Sequence, residues 1–491
     1  MNPTRHTVAI AGAGPVGLML AGELSAAGVP TVVIERLGAA RPDVPGMAIN
    51  PTVVELLEQR GLMDALREDG VALPHAFFAH LVLDPARLRQ QRPLNFMVRQ
   101  ATLEQRLAEY AVKSGAEIRR GHEIIGVEQD DSGVTVQVRT AGGEDTVRCR
   151  YLVGCDGVDS SVRQLAGIGF PGAETPFYGI LGDVDASEEL YGHLGARQYP
   201  DGLFTVAPSG PGTMRVTVGV FDVEPPDRER PPSIAEFREQ IRRVSGLDVA
   251  LGDAHWLSRW FQVDRQAETY RRGDVFLAGD AAHVNFPLGG LSLSTGIEDA
   301  VNLGWKLAGV IRGWAPDRLL DTYQGERYPV AERARAIIAA QTALMQPGGR
   351  AEPMRDLLAE LIVFDDVNEH LVKAVGGLDV RYDLPGTAGH PLVGHRLADI
   401  PLATAGGSTS TAALLHGGRG VLLDLCGGAL VDEMGSGWQE RVDGVVAEPA
   451  TVVGAAGLLL RPDGRVAWAT RDREAVGLRE ALDRWFGPAG Q

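Results

Sequence analysis

A chain of 491 residues, 44% hydrophobic and 23% charged, is long enough for two or three domains and reads as globular. Its net charge of −17 argues against nucleic acid or an anionic membrane as a partner. No apolar run of about 18 residues is free of interruption, so no membrane span is expected, and the first residues lack a signal-peptide pattern. Cys149, Cys155 and Cys426 have no metal-ligand spacing and fit a reducing, cytoplasmic setting with no metal site.

The first forty residues carry the clearest pattern. Val8–Ala11 is a short apolar run, followed at once by Gly12-Ala13-Gly14-Pro15-Val16-Gly17. Leu18–Ala27 reads as a helix ended by Gly28, and Thr31–Ile34 is a second strand that finishes on Glu35. Strand, glycine turn, helix, strand and acid make the fingerprint of a dinucleotide site, against the plainer reading of a βαβ turn with incidental glycines. Gly12 permits the tight turn, Gly14 lets the backbone approach a pyrophosphate, and Gly17 lets the helix lie close to the strand. The helix start then offers free N–H groups and a positive dipole end to the phosphates. Candidate contacts here are Gly12, Gly14, Pro15, Gly17, Glu35 and Arg36; Glu35 suits ribose hydroxyls and disfavours a 2′-phosphate.

After a loop with Arg41, Pro42 and Pro45, Pro51–Arg60 reads as a helix stopped by Gly61. Residues 71–97 are irregular with strand-like pieces, and Ala101–Ser114 is a helix behind Arg99-Gln100. Ala116–Arg119 is a strand, His122–Gln129 and Val134–Arg139 a hairpin pair, and Thr146–Val153 one further strand that delivers Gly154-Cys155-Asp156-Gly157. An acid followed by a glycine turn and a helix makes Asp156 and Gly157 a second candidate contact; a helix cap is the other reading of Asp156.

Residues 176–265 change to alternating runs such as Thr213–Phe221, with one amphipathic helix near Ile234–Arg243. They read as an inserted antiparallel sheet. The strand Asp274–Ala278 then ends on Asp280, which reads either as a cofactor contact or as a strand-end cap; His283 reads either as a site residue or as a packed one. Pro287, Gly289 and Gly290 lead into long helices at Leu291–Gly313 and Pro316–Met345, with more helix to about Ala374 and a Gly/Pro-rich linker over 375–395. Strands at Gly420–Leu425, Ala456–Leu460 and Arg465–Ala469 and a helix at Glu474–Phe486 make a small α/β unit, in which Cys426 lacks a CxxC partner. The expected division is 1–175 and 266–394 for a Rossmann-like domain, 176–265 for the inserted sheet and 395–491 for the C-terminal unit.

Three separated segments now stand together: Gly12–Gly17 with Glu35, Cys155–Arg163, and Gly279–His283 with Gly289-Gly290. Their order and spacing resemble the class A flavoprotein aromatic hydroxylases, the para-hydroxybenzoate hydroxylase group. The Gly304-Trp305-Lys306-Leu307 helix and the C-terminal unit look like the actinomycete angucycline and anthracycline polyketide hydroxylases. The resemblance covers nearly the whole chain. It implies an α/β fold, with a Rossmann-like FAD-binding domain, an inserted antiparallel-sheet substrate domain and a small thioredoxin-like C-terminal domain. It also implies non-covalent FAD, reduction by NADPH or NADH, and O2 addition to give a C4a-hydroperoxyflavin that hydroxylates an electron-rich polycyclic polyketide.

By the same resemblance, Gln100 would lie near the pyrophosphate and ribityl region, Asp156 and Gly157 would serve FAD and the nicotinamide, and Asp280 the ribityl chain. Pro287, Gly289, Gly290, Leu293 and Ser294 would lie beside the isoalloxazine. The flavin carries the redox chemistry, so no catalytic side chain is required. Tyr178, Phe204, Phe221, Trp260 and Phe286 are candidate substrate contacts, or plain core. Oligomeric state stays open.

Two departures touch the flavin face. Pro45 and Thr52 stand where the family carries arginine, and relatives' Gly-Gly-Gln-Gly-Met-Asn-Thr is here Gly289-Gly290-Leu291-Ser292-Leu293-Ser294-Thr295. Three functions therefore stay in view: hydroxylation; altered flavin chemistry such as Baeyer–Villiger insertion, dehydration or reduction; and a non-catalytic homologue that binds a substrate or a partner enzyme.

Overall fold

The computed structural model describes residues 6–41, 46–221, 223–227, 230–286, 288–346, 349–384 and 389–490, with only the backbone at 174–176. Pro45 and Pro287 lie outside the described residues. No described helix is long and apolar enough to cross a membrane.

The first sheet runs in the order Arg271–Arg272, Val275–Leu277, Tyr151–Gly154, β1 (Val8–Ala11), β2 (Thr31–Glu35), Glu117–Arg120. All pairings are parallel except that of the Arg271–Arg272 edge. β1 is buried throughout, the reason it reads as a continuous apolar run without alternation. Helix α1 (Pro15–Ala26) crosses the Leu291–Ile311 helix closely at Gly304, where an added Cβ would sit 2.8 Å from Glu23 Cβ.

The expected strand Thr146–Val153 is in fact two. Gly143–Cys149 closes a three-stranded antiparallel sheet, and Tyr151–Gly154 joins the parallel sheet beside β1. The change of sheet falls at Arg150, whose N–H donates to Thr7 O at 3.0 Å; a continuous stretch of strand-forming residues hides such a switch.

The second large sheet is antiparallel, in the order Gly195–Tyr199, Gly202–Gly210, Thr213–Phe221, Gly172–Asp185, Ala254–Gln266, His283–Val284. Its last strand comes from beyond residue 265 and ties the sheet to the segment after Asp280. The two faces bury different sets. Ile180, Val216, Val218 and Phe204 pack under the Ile234–Ser245 helix, which Ser233 caps and Gly246 ends at φ +72°. The opposite face carries Phe177, Leu203 and Phe221.

In the C-terminal unit Gly420–Asp424 pairs parallel with Val442–Pro449 and antiparallel with Gly457–Leu460, which pairs in turn with Val466–Thr470. The helix Leu478–Phe486 closes this mixed, thioredoxin-like sheet. Its turn Arg461–Arg465 is pushed into a buried ionic layer on the Leu291–Ile311 and Arg318–Met345 helices. There Glu326 accepts from Arg461 Nη1 and Nη2 at 2.7 Å each, from Lys306 Nζ at 2.8 Å and from Asn302 Nδ2 at 2.6 Å.

Burial works to raise the Glu326 carboxyl, but Arg461 and Lys306 outweigh it and hold it at about 2, below its usual 4.5. Lys306 itself is pushed down to about 8 because burial, with Arg461 as a like-charged neighbour, exceeds the pull of Glu326. A carboxyl with a depressed folded pKa stabilises the fold fully above its unfolded value and loses that contribution as pH falls through the folded one. Thermal stability should therefore drop as pH falls from 4.5 towards 2; a melting temperature flat across that window would contradict the assignment.

Candidate functional site

β1 ends at Ala11 and the chain turns at Gly12 with φ +96°; an added Cβ there would lie 2.5 Å from the Cys155 carbonyl oxygen. Gly17 lies against the turn, its added Cβ falling 2.1 Å from Gly12 O. Gly14 is different. It caps α1 with φ −80°, and nothing lies within 4 Å of where its Cβ would be. Pro15 opens the helix without an N–H to lose, and Leu18 N already takes Gly14 O at 3.0 Å, so the amides of Val16 and Gly17 head the open space.

In front of that helix start is a cleft of about 270 Å³ lined by Gly12, Glu35, Arg36, Glu104, Asp156 and Gly157 among others. Glu35 accepts from Ala13 N and Leu37 N, at 2.8 Å on separate oxygens. Each oxygen keeps a lone pair for a hydroxyl, and the two amides fix the carboxylate at the end of β2. Asp156 accepts from Ser160 Oγ at 2.5 Å and Val162 N at 3.1 Å, so it bonds the first turn of the following helix and lines the cleft at once. Burial raises its carboxyl despite those bonds. Gln100 lies outside the lining, with Nε2 donating to Glu104 Oε1 at 2.8 Å.

Outside that lining, Asp280 is exposed beyond the end of its strand. Ser292 Oγ donates to Asp280 Oδ1 at 3.3 Å. His283 is fully buried with Nε2 on Asp299 Oδ2 at 2.6 Å, and the same oxygen accepts from Gly279 N at 3.1 Å. It therefore holds the strand end on which Asp280 stands and is a packed residue. Gly289 and Gly290 have φ +64° and +73°, and Gly290 backs so closely on Ala48 O that a Cβ would come within 2.6 Å.

Leu293 is half-buried against the main core. Ser294 Oγ accepts from Asn50 N at 3.2 Å. Thr52, in the position expected to bring an arginine, is turned inward: its Oγ1 reaches Glu298 Oε1 at 2.6 Å and Asn50 Oδ1 at 2.8 Å.

The candidate substrate residues divide. Phe221, Trp260 and Phe286 join Phe177 in one aromatic cluster, with Phe177–Phe221 centroids 3.7 Å apart, Phe177–Trp260 4.8 Å, Phe177–Phe286 5.2 Å and Trp260–Phe286 5.0 Å. Leu291, the first residue of the long helix after Gly290, packs into the same cluster. Tyr178 and Phe204 do not: both face the Ile234–Ser245 helix, on the sheet's other side. This is a correction of one residue in register, since neighbouring strand positions point to opposite faces. Phe177 was missed beside Tyr178 for that reason.

The cleft fits the ADP half of a flavin dinucleotide: an open helix start, a Cβ-free approach at Gly14 and a fixed acid at the second strand end. Fold and site together define a flavoprotein of the dinucleotide-binding type. A family described as FAD binding domain matches residues 5–336, and one described as aromatic-ring hydroxylase, C-terminal, matches residues 390–489. A dialkyldecalin synthase of Streptomyces rugosporus is 48% identical over 98% of this chain and 99% of its own. The 12-dehydrotetracycline 5-monooxygenase/anhydrotetracycline 6-monooxygenase of Streptomyces rimosus is 41% identical over 99% of each chain. The solved Diels-Alderase PyrE3 of the pyrroindomycin pathway matches with a TM-score of 0.90 at 47% identity, covering 99% of this chain and 100% of that one. The chain belongs to the family of FAD-dependent aromatic-ring hydroxylases and is an enzyme of the FAD-dependent monooxygenase class.

Proposed function

We propose that the chain hydroxylates a polycyclic aromatic polyketide, with NADPH or NADH as reductant and O2 as oxygen source. The observation that carries this reading is the aromatic wall of Phe177, Phe221, Trp260 and Phe286, which Leu291 extends to the start of the helix after Gly290. Such a wall accepts a flat, apolar ring system by stacking and keeps water from the reacting face. When bound, FAD supplies the redox chemistry. Gly12, Gly14 and Gly17 would pass its pyrophosphate, Glu35 would hold the adenosine ribose and Asp280 the ribityl chain. The Gly290 amide and the positive end of the long helix would favour negative charge at the pyrimidine edge of the ring; Leu291 N donates to Leu288 O at 3.3 Å.

A specific observation favours a second reading. Thr52 is turned inward to Glu298, Ser292 bonds Asp280 and Leu291 joins the aromatic cluster, so at these positions the chain brings neither an arginine nor a side-chain amide to the ring face. Together with 48% identity to a dialkyldecalin synthase, this suits ring closure of an unsaturated polyketide with FAD as part of the binding surface. Such a closure consumes no oxidant or reductant.

The test is NADPH oxidation by the FAD-loaded protein with candidate polycyclic phenols and polyenes under 18O2. A product heavier by one labelled oxygen, with NADPH consumed, supports hydroxylation. A product of unchanged mass with a new ring, and no NADPH or O2 consumed, overturns it in favour of ring closure.

A further inference from the structure

Arginines of the C-terminal unit are linked to the Gly289-Gly290 loop through one carboxylate. Glu298, on the Leu291–Ile311 helix, is 5% exposed. Its Oε2 accepts from Arg327, Arg396 and Arg465 at 3.3, 3.5 and 3.4 Å, and its Oε1 from Thr52 Oγ1 at 2.6 Å. Arg396 and Arg465 lie on adjacent, bridged backbone of the C-terminal unit. Arg396 Nη1 donates to Asp463 O at 2.6 Å, and Arg465 N donates to Asp463 Oδ1 at 3.3 Å, so one turn fixes both.

From Glu298 the line continues towards the flavin loop. Thr52 shares Asn50 Oδ1, which also accepts from Val53 N at 3.2 Å and so caps helix α2 (Pro51–Glu58). Asn50 N donates to Ser294 Oγ at 3.2 Å, and Gly290 lies on Ala48 O, in the short strand β3 (Ala48–Ile49) just before Asn50. The other cofactor helix is held from behind in a similar way. Glu23 of α1 takes Arg60 on both oxygens at 2.6 and 2.7 Å, and Arg60 reaches Pro462 O at 2.9 Å. Helix α1, which heads the cleft, and the Leu291–Ile311 helix are thus both tied to the turn at 461–465. A network that held only the domains together would have no need to pass through Thr52 and Asn50 to the loop at Gly290.

We propose that the C-terminal unit is a cofactor-positioning element, with Glu298 the positioning residue through which Arg396 and Arg465 set the spacing of Asn50, Ser294 and Gly290 around the flavin ring. The proposal rests on FAD lying at the starts of α1 and the Leu291–Ile311 helix, a reading that Gly14→Val tests separately.

The experiment compares FAD affinity, by fluorescence titration of the full-length apoprotein, with the visible spectrum and midpoint potential of the bound flavin. The variants are Glu298→Gln, Arg465→Met and Arg465→Lys. The control is Leu482→Ala, a buried core residue of the C-terminal unit outside the network. Glu298→Gln and Arg465→Met should each raise the FAD Kd about tenfold and shift the flavin potential, Arg465→Lys should recover part of the loss, and Leu482→Ala should lower the melting temperature with the FAD Kd within twofold of the parent. Unchanged affinity and potential in both Glu298→Gln and Arg465→Met would overturn the proposal. So would a Leu482→Ala effect on FAD as large as theirs, since that would reduce the role to stability alone. If Glu298→Gln does not fold, the two Arg465 variants carry the comparison.

Discussion

Gly14→Val should abolish FAD binding while leaving the apoprotein folded. The residue sits at φ −80° and ψ −179°, extended backbone that valine adopts without strain. Nothing lies within 4 Å of the position a Cβ would take, so the new side chain meets no protein atom at that point. What it fills is the space in front of the α1 amides, where a pyrophosphate has to come within hydrogen-bond distance. Losing that approach should weaken FAD at least a hundredfold, or about 2.7 kcal/mol. Gly17→Ala is the contrasting variant. Its Cβ would lie 2.1 Å from Gly12 O, a backbone atom that cannot swing aside, so this change should damage the turn itself. Apoprotein melting curves and FAD titrations separate the two: Gly14→Val keeps the melting temperature within about 1 °C of the parent, a shift worth about 1 kcal/mol for a chain of 491 residues, and Gly17→Ala does not. FAD affinity within tenfold of the parent in Gly14→Val would remove the cleft at α1 as the cofactor site.

The turn was legible because its parts follow one another in the chain: an apolar run, a glycine turn, a helix and a strand ending on an acid. Gly17 answers to the neighbouring Gly12 O, Gly14 to no protein atom, and Gly12 to the Cys155 carbonyl, a contact from far along the chain. The aromatic cluster was half legible. Phe221, Trp260 and Phe286 share a face with Phe177, yet Tyr178 and Phe204 sit on the other, because the register that decides which alternate residue turns inward comes from strands far apart, Phe177 against Phe221 and Gly179 against Trp260. The ionic layer was not legible at all. Glu298, Asp299, Asn302 and Lys306 lie on a helix whose other residues are largely apolar, and polar residues in such a helix read as its solvent face. Here they are buried because partners arrive from Arg327 on one side and from Arg461, Asp463 and Arg465 on the other, contacts that no local pattern announces. Asp156 shows the limit from the other direction: sequence offered a cofactor contact or a helix N-cap, and in the structure Ser160 is the N-cap while Asp156 accepts from Val162 N and lines the cleft.

Arg327→Met should cost about 3–5 kcal/mol of stability, the range for removing one partner of a buried ionic group. Arg327 is fully buried. Its Nε donates to Asp299 Oδ1 at 2.6 Å, Nη1 to Tyr382 Oη at 3.0 Å and Glu298 Oε2 at 3.3 Å, and Nη2 to Thr295 O at 2.9 Å. Methionine fills much of the volume but leaves two carboxylates short of a cation in a dry interior. Asp299 keeps the His283 Nε2 contact at 2.6 Å and the Gly279 N–H at 3.1 Å. Lysine should rescue little, because one ammonium cannot reach four acceptors that the planar guanidinium meets at once. Lys306→Met sets the scale from the other side. Glu326 would keep both bonds from Arg461 at 2.7 Å, no carboxylate would be stranded, and an ammonium that burial already disfavours would be gone. That change should cost about 1.5–3 kcal/mol, the range for a hydrogen bond to a charged group. Urea unfolding with a shared m-value reads both numbers. A loss below about 1 kcal/mol in Arg327→Met, or a larger loss in Lys306→Met, would mean that the layer tolerates an uncompensated charge, and that the order of bond lengths around Asp299 and Glu326 does not set which arginine the fold depends on.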